Sequence, residues 1–141
     1  MMSYIDTSAL AAYYCPETLS RSVEKELRRD EAPTISPLVE VEFHSAVALK
    51  VRTREFDPPT ANRIVSLFRL HLANGHYRLV AVGDREYGLA CDWIGRFSTP
   101  LRTLDALHLA AAFASDLVIL TTDRPLARSA KHFGVKCKLI S

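Results

Sequence analysis

The chain predicts an α/β layer fold built on a small, mostly parallel β-sheet. Strand-like runs alternate with helical patterns from one end of its 141 residues to the other. One run, Leu117–Thr121, is apolar throughout, as strands covered on both faces are. Helix outweighs strand, which points to a sheet of about four or five strands. A chain of this length suits one domain, residues 1–141, able to bury roughly two-thirds of the surface its unfolded form exposes.

Met2–Ile5 reads as the first strand, with Asp6-Thr7-Ser8 at its end. Helical turns over Ser8–Tyr14 stop at Cys15-Pro16, because proline disfavours helix in the residue before it. Leu19, Val23 and Leu27 recur within the charged stretch Glu17–Arg29, the pattern of an amphipathic helix. Pro33-Thr34-Ile35 is a short strand candidate. Ser36-Pro37 then starts a helix, a serine able to cap followed by proline at the first helical position. That helix, to about Arg54, carries more apolar residues (Leu38, Val41, Phe43, Val47, Ala48, Leu49, Val51) than one buried face needs.

Asp57-Pro58-Pro59 breaks the chain before a helix over Thr60–Ala73, which Asn74-Gly75 ends with residues that tolerate left-handed backbone. Tyr77–Val82 is a strand candidate, and Asp84–Phe97 a helix weakened by Gly88. Thr103 or a neighbour caps a helix to about Ser115, followed by the apolar strand Leu117–Thr121. Pro125–Phe133 is the last helix, ended by Gly134, and Val135–Ile140 is the final strand.

Composition excludes little. Apolar residues make up 48% and charged residues 24%, ordinary for a globular domain. The net charge of +2 neither requires nor excludes a nucleic-acid partner. No apolar run approaches the ~20 residues of a membrane span. The N-terminus lacks the basic and apolar segments of a secretory signal, so a cytoplasmic location with no membrane contact is the expectation. Cys15, Cys91 and Cys137 show no zinc-ligand spacing and read as small buried hydrophobes in a reducing compartment.

The chemistry lies in the acids. Asp6 follows the first strand and Asp123 the late apolar one. In open α/β sheets ligands bind beyond the carboxyl ends of strands. Asp105 lies in the first turn of its helix and joins them if that helix begins on the same side. The Ser36–Arg54 helix offers two acids. At about 100° per residue, Glu42 falls among Leu38, Ala46 and Leu49, and Glu40 near His44, Val47 and Val51; periodicity prefers Glu42 only slightly. Each acid alone has an ordinary explanation as a cap, a turn former or a partner of the helix dipole; a site requires their convergence. Asp116 precedes its strand and so lies at the wrong end of the sheet. Carboxylates crowded together take up protons or hold a cation, and Mg²⁺ suits an oxygen-only set. No phosphate-binding glycine loop, nucleophile elbow or catalytic-cysteine motif is present.

Four segments carry a resemblance: Tyr4-Ile5-Asp6-Thr7-Ser8-Ala9-Leu10, Val41-Glu42-Phe43-His44-Ser45-Ala46, Leu101-Arg102-Thr103-Leu104-Asp105-Ala106-Leu107-His108-Leu109-Ala110, and Leu120-Thr121-Thr122-Asp123-Arg124-Pro125-Leu126-Ala127. In that order they resemble PIN-domain nucleases, and more narrowly the VapC toxins of type II toxin–antitoxin pairs. Residues 57–98 resemble the family only in being helical. The resemblance implies a three-layer α/β/α sandwich, dependence on Mg²⁺ or Mn²⁺, and endoribonuclease activity. It carries the acidic and metal-binding roles onto Asp6, Glu42, Asp105 and Asp123, which decides between Glu40 and Glu42. Thr121 matches the family's hydroxyl position, where it would orient a metal-bound water. It also implies a homodimer, with the apolar Ser36–Arg54 helix supplying part of the interface, and a cognate antitoxin.

Asp6 and Asp105 are the expected direct ligands, with Glu42 and Asp123 completing the cluster or acting through water. Arg102, Arg124 and Arg128 flank the acidic segments and are candidates for RNA phosphate contact. His108, one helical turn after Asp105, reads as a structural residue rather than a general base. Two other classes stay open: an α/β phosphatase or phosphoryl-transfer enzyme, although Asp6-Thr7-Ser8 lacks a second aspartate, and a non-catalytic RNA- or partner-binding domain.

Overall fold

The computed structural model describes residues 2–141. Strand β1 (Ser3–Ile5) is buried along its length and runs into α1 (Thr7–Tyr14) through Asp6. The Asp6 side chain accepts the Ala9 N–H and so caps α1. Then come α2 (Ser20–Arg28), β2 (Thr34–Ile35), α3 (Pro37–Arg52), α4 (Pro58–Ala73) and β3 (Arg78–Leu79). The second half holds α5 (Asp84–Ile94), α6 (Thr103–Ala114), β4 (Val118–Thr121), α7 (Arg124–His132) and β5 (Cys137–Leu139). Asp57 caps α4 and Asp123 caps α7, each through a backbone N–H three residues on, with proline in the first turn. Gly75 (φ 73°) and Gly134 (φ 71°) leave α4 and α7 in the left-handed conformation.

All pairings in the five-stranded sheet are parallel, and the order is β3-β2-β1-β4-β5. From β1 the chain moves outward to β2 and β3. It then crosses back past β1 to β4 and continues to β5. Right-handed crossovers put α1 to α4 on one face and α5 to α7 on the other. The packing agrees: α1 meets α2 and α3, α3 meets α4, and α5 meets α6. The result is the expected α/β/α sandwich, with five strands. Its point of reversal lies between β1 and β4, where open sheets of this kind build their ligand sites.

The core holds Tyr4, Ile5, Phe43, Phe68, Leu109, Ile119 and Leu120, all with no exposed surface. Helix α6 is buried from Ala106 through Ala112. Its alanines let it lie close between the sheet and α5, and the neighbouring leucines fill the space at its sides.

Several local expectations change. Ser36 stands at the N-cap of α3 but forms no cap hydrogen bond; its hydroxyl lies 2.8 Å from that of Tyr4. Thr103 is the first residue of α6, and Arg102 holds the cap position without a side-chain bond. Helix α2 starts at Ser20, three residues after Glu17. Of the apolar residues of α3, only Val39, Phe43 and Val47 are buried, whereas Val41 (67%) and Leu49 (51%) are exposed. Cys15 is buried, but Cys91 is exposed on α5 and so is not the buried hydrophobe its residue type suggests. Among the described residues no helix is long and apolar enough to cross a membrane.

Candidate functional site

The register Ile5↔Leu120 sets the ends of β1 and β4 side by side, and the Asp6 N–H donates to the Leu120 carbonyl at 3.1 Å. Asp6 and Thr121 therefore emerge together at the carboxyl edge. The Thr121 hydroxyl donates to one Asp6 oxygen. The other accepts the Ser8 hydroxyl at 2.7 Å and the Ala9 N–H at 2.9 Å. The same two hydroxyls hold the turn after β4: Thr121 Oγ1 accepts the Asp123 N–H at 3.0 Å, and Ser8 Oγ the Thr122 N–H at 3.1 Å. Asp6 is only 3% exposed. Burial pushes its carboxyl above the usual range, opposed by these hydrogen bonds and by nearby His108.

Glu42 reaches the edge from α3. Its Oε1 accepts the Thr7 hydroxyl at 2.8 Å and also meets His108 Nε2 from α6. Burial acts to raise the Glu42 carboxyl, but the His108 and Thr7 interactions outweigh it and hold the group below its ordinary value. His108 is itself 2% exposed, and its Nδ1 lies 2.7 Å from the Tyr4 hydroxyl. Burial keeps that hydroxyl protonated well beyond its normal range. Glu40, the alternative acid, forms no side-chain hydrogen bond to this network among the described residues; its carbonyl meets His44.

Asp105 lies in the first turn of α6, half-buried, with no side-chain hydrogen bond among the described residues. Its carboxyl is raised first by burial, then by the negative charges of Asp123 and Glu42, against the opposing effects of His108 and Arg102. Asp105, Asp123 and Glu42 thus share one electrostatic neighbourhood. Asp123 Oδ1 accepts the Leu126 N–H at 3.1 Å. Among the described residues the only buried side-chain polar atom lacking a partner is His44 Nε2. The remaining oxygens, Glu42 Oε2, Asp123 Oδ2 and both of Asp105, therefore face solvent.

This donor set fits a hard divalent cation in its chemistry: it is oxygen-only, acidic, and has free lone pairs at a sheet edge. It is not a closed cage, for among the described residues no three His, Cys, Asp or Glu side chains stand close enough together to hold one ion. Arg102 before α6, Arg124 at the start of α7 and Arg128 one turn further on are all exposed and make no ion pair among the described residues. Asp116 is exposed, and Lys136 donates to it at 3.0 Å before β4, away from the cluster.

The sequence pattern assigns no site role to Ser8, Thr7, Tyr4 or Ser36, the last being marked only as a helix cap. Ser8 and Thr7 had a signal, two hydroxyls directly after a strand-end aspartate. Tyr4 and Ser36 had none, because their partners come from elements distant in sequence.

The sequence matches the family model described as the PIN domain over residues 3–132. No curated protein matches it. Among solved structures it is similar to FitAcB from Neisseria gonorrhoeae, with 16% identity, 96% of each chain covered and a TM-score of 0.70. It is also similar to DNA-bound VapBC from Salmonella typhimurium, with 14% identity, 100% of each chain covered and a TM-score of 0.69. A third similar structure is VapC20 from Mycobacterium tuberculosis, described as a sarcin–ricin loop cleaving toxin, with 18% identity over 89% of this chain and 93% of that one and a TM-score of 0.65. With the family pattern running from Ser3 to His132 and the three-layer fold around it, this chain belongs to the PIN domain family.

Proposed function

We propose that this protein is a metal-dependent endoribonuclease acting as the toxin of a toxin–antitoxin pair, with residues 1–141 forming one catalytic domain. The observation that supports the reading is the gathering of acids at the β1–β4 reversal: Asp6 follows β1, Asp123 follows β4, and burial, then the charges of Asp123 and Glu42, raise the Asp105 carboxyl. Acids left facing solvent beside one another suit a site that a cation or its substrate compensates. Family membership and the toxins among the similar structures support the same reading.

Asp6 and Asp105 would hold Mg²⁺ or Mn²⁺ directly, with Glu42 and Asp123 completing the site or acting through water. When bound, such an ion would lower the pKa of a water so that it can lose its proton and attack a phosphodiester, and would offset charge on the phosphate. The chain's own residues prepare the place. Thr121, Ser8 and the Ala9 N–H fix Asp6, and Thr121 is also suited to orient a water at that edge. Arg102, Arg124 and Arg128, exposed and in no ion pair among the described residues, offer guanidinium groups to RNA phosphates. The exposed Val41 and Leu49 on α3 suit a homodimer contact. A cognate antitoxin and a cytoplasmic location complete the proposal.

The test is cleavage of a structured RNA by the purified protein in Mg²⁺ or Mn²⁺. Activity should stop with EDTA. Asp6→Asn should be inactive yet folded, because asparagine still caps a helix. Activity on a small phosphate ester but not on RNA contradicts the proposal.

A further inference from the structure

Beneath the acids lies a buried chain of side chains that the metal chemistry does not itself require. It runs from Ser36 Oγ to the Tyr4 hydroxyl (2.8 Å), from that hydroxyl to His108 Nδ1 (2.7 Å), and from His108 Nε2 to Glu42 Oε1. Ser36 and Tyr4 have no exposed surface, and His108 has 2%. Three elements contribute: strand β1, helix α6, and helix α3 through both its N-cap and its second turn.

The directions of these hydrogen bonds follow from Glu42. A carboxylate only accepts, so Nε2 carries the proton in that bond. In the neutral ring Nδ1 is then an acceptor, and the Tyr4 O–H must donate to it. The Tyr4 oxygen in turn accepts from the Ser36 hydroxyl. Every proton points the same way, toward Glu42, and each bond polarises the next. Ser36 is free for this because it does not cap its own helix.

The consequence falls on Glu42. Both of its hydrogen bonds, from Thr7 and from His108, go to Oε1, while Oε2 faces solvent. A glutamate on a helix surface otherwise samples several rotamers. Here one oxygen is anchored and the other has no protein partner among the described residues. We propose that His108 is a positioning residue: Tyr4 and Ser36 hold it as the Nε2–H tautomer, and it fixes Glu42 with one carboxylate oxygen turned toward Asp105 and Asp123. The inference rests on the nuclease reading for its consequence in catalysis, but not for the lock itself. Partners that orient a metal ligand through its outer atom typically change affinity or activity 10–100-fold when removed.

The experiment uses the full chain and four variants: Tyr4→Phe, Ser36→Ala, His108→Gln and His108→Leu. Long-range ¹H–¹⁵N correlation at mildly alkaline pH should show His108 of the unaltered protein as a single Nε2–H tautomer. Tyr4→Phe should add the other tautomer in a protein that stays folded, with the melting temperature lowered by a few degrees for the two buried hydrogen bonds lost. Mn²⁺ titration followed by electron paramagnetic resonance should weaken about 10-fold in His108→Leu and less in Tyr4→Phe. His108→Gln, whose amide reaches Glu42 like Nε2, should restore most of the affinity. In RNA cleavage the loss should fall on kcat with KM within about twofold. Ser36→Ala should give the mildest effect. Protonation at Nδ1 in the unaltered protein overturns the proposal, as does parental Mn²⁺ affinity and kcat in both Tyr4→Phe and His108→Leu. If the unaltered protein cuts no RNA, the nuclease reading fails by itself, and the spectrum and the titration still decide whether the lock exists.

Discussion

At the amino end of the sheet, the Tyr14 hydroxyl lies 2.6 Å from His71 Nδ1 and 2.6 Å from the Tyr77 hydroxyl. Burial keeps both tyrosines protonated and pushes the His71 imidazole toward its neutral form. Phe43 and Phe68 meet the Tyr14 ring edge-on at 5.4 and 5.5 Å. At the carboxyl end hydroxyls and His108 hold a set of acids, and four of the acids' oxygens have no protein partner among the described residues. One end therefore satisfies neutral groups among themselves, and the other leaves charge under-compensated. An arrangement of the first kind stabilises a fold, whereas one of the second kind costs stability and persists where something else binds.

Substitutions at the two ends should accordingly divide between activity and stability. The largest effect is expected for Asp105→Asn, which should reduce RNA cleavage by more than about 100-fold, beyond the usual range for an outer partner. Its melting temperature should stay level or rise, because it removes a charge repelled by Asp123 and Glu42 and breaks no hydrogen bond. A steep loss of stability in a melting scan would contradict the placement of Asp105. Next comes Thr121→Val, which leaves Asp6 and the Asp123 N–H each short of a partner. We expect a loss of about 1–3 kcal/mol in urea unfolding together with reduced cleavage, and recovery of both in Thr121→Ser.

The amino end supplies the converse case. Tyr14→Phe removes two half-buried hydrogen bonds and should cost about 1–2 kcal/mol while leaving specific activity unchanged. A fall in activity per folded molecule would show that the two ends are coupled. Smaller still, Arg124→Ala should weaken RNA binding across sequences and lower the salt slope by about 1, read from binding at several salt concentrations. Smallest of all, Glu24→Ala breaks the exposed pair with Arg28 and should change stability by less than about 0.5 kcal/mol.

Much of the fold was legible because its signals are local. Asp57-Pro58, Ser36-Pro37 and Asn74-Gly75 punctuate helices wherever they occur, and Leu117–Thr121 has the continuous apolar character of a covered strand. The acids Asp6 and Asp123 were legible for a topological reason, since both follow strands. Glu42 was harder. Its neighbours on the helical wheel include Leu38 and Leu49, yet the buried stripe is Val39, Phe43 and Val47, so Glu42 sits beside the core and not within it. The wheel shows an apolar arc but not which part a tertiary partner covers.

The network around Tyr4 was beyond reach for a different reason. Tyr4, Ser36 and His108 meet across separations of 32 and 104 residues, and no local pattern marks such a meeting. Ser36 also shows how tertiary structure redirects a local preference: a residue suited to capping gives its hydroxyl to a tyrosine instead.

The central claim is that the acids at the β1–β4 reversal carry metal-dependent RNA cleavage. The most direct measurement is cleavage of one structured RNA by the parent protein and by Asp105→Asn, each in Mn²⁺ and in EDTA. The account predicts cleavage only by the parent and only with the metal. Equal cleavage by both proteins, or full activity of the parent in EDTA, would contradict it.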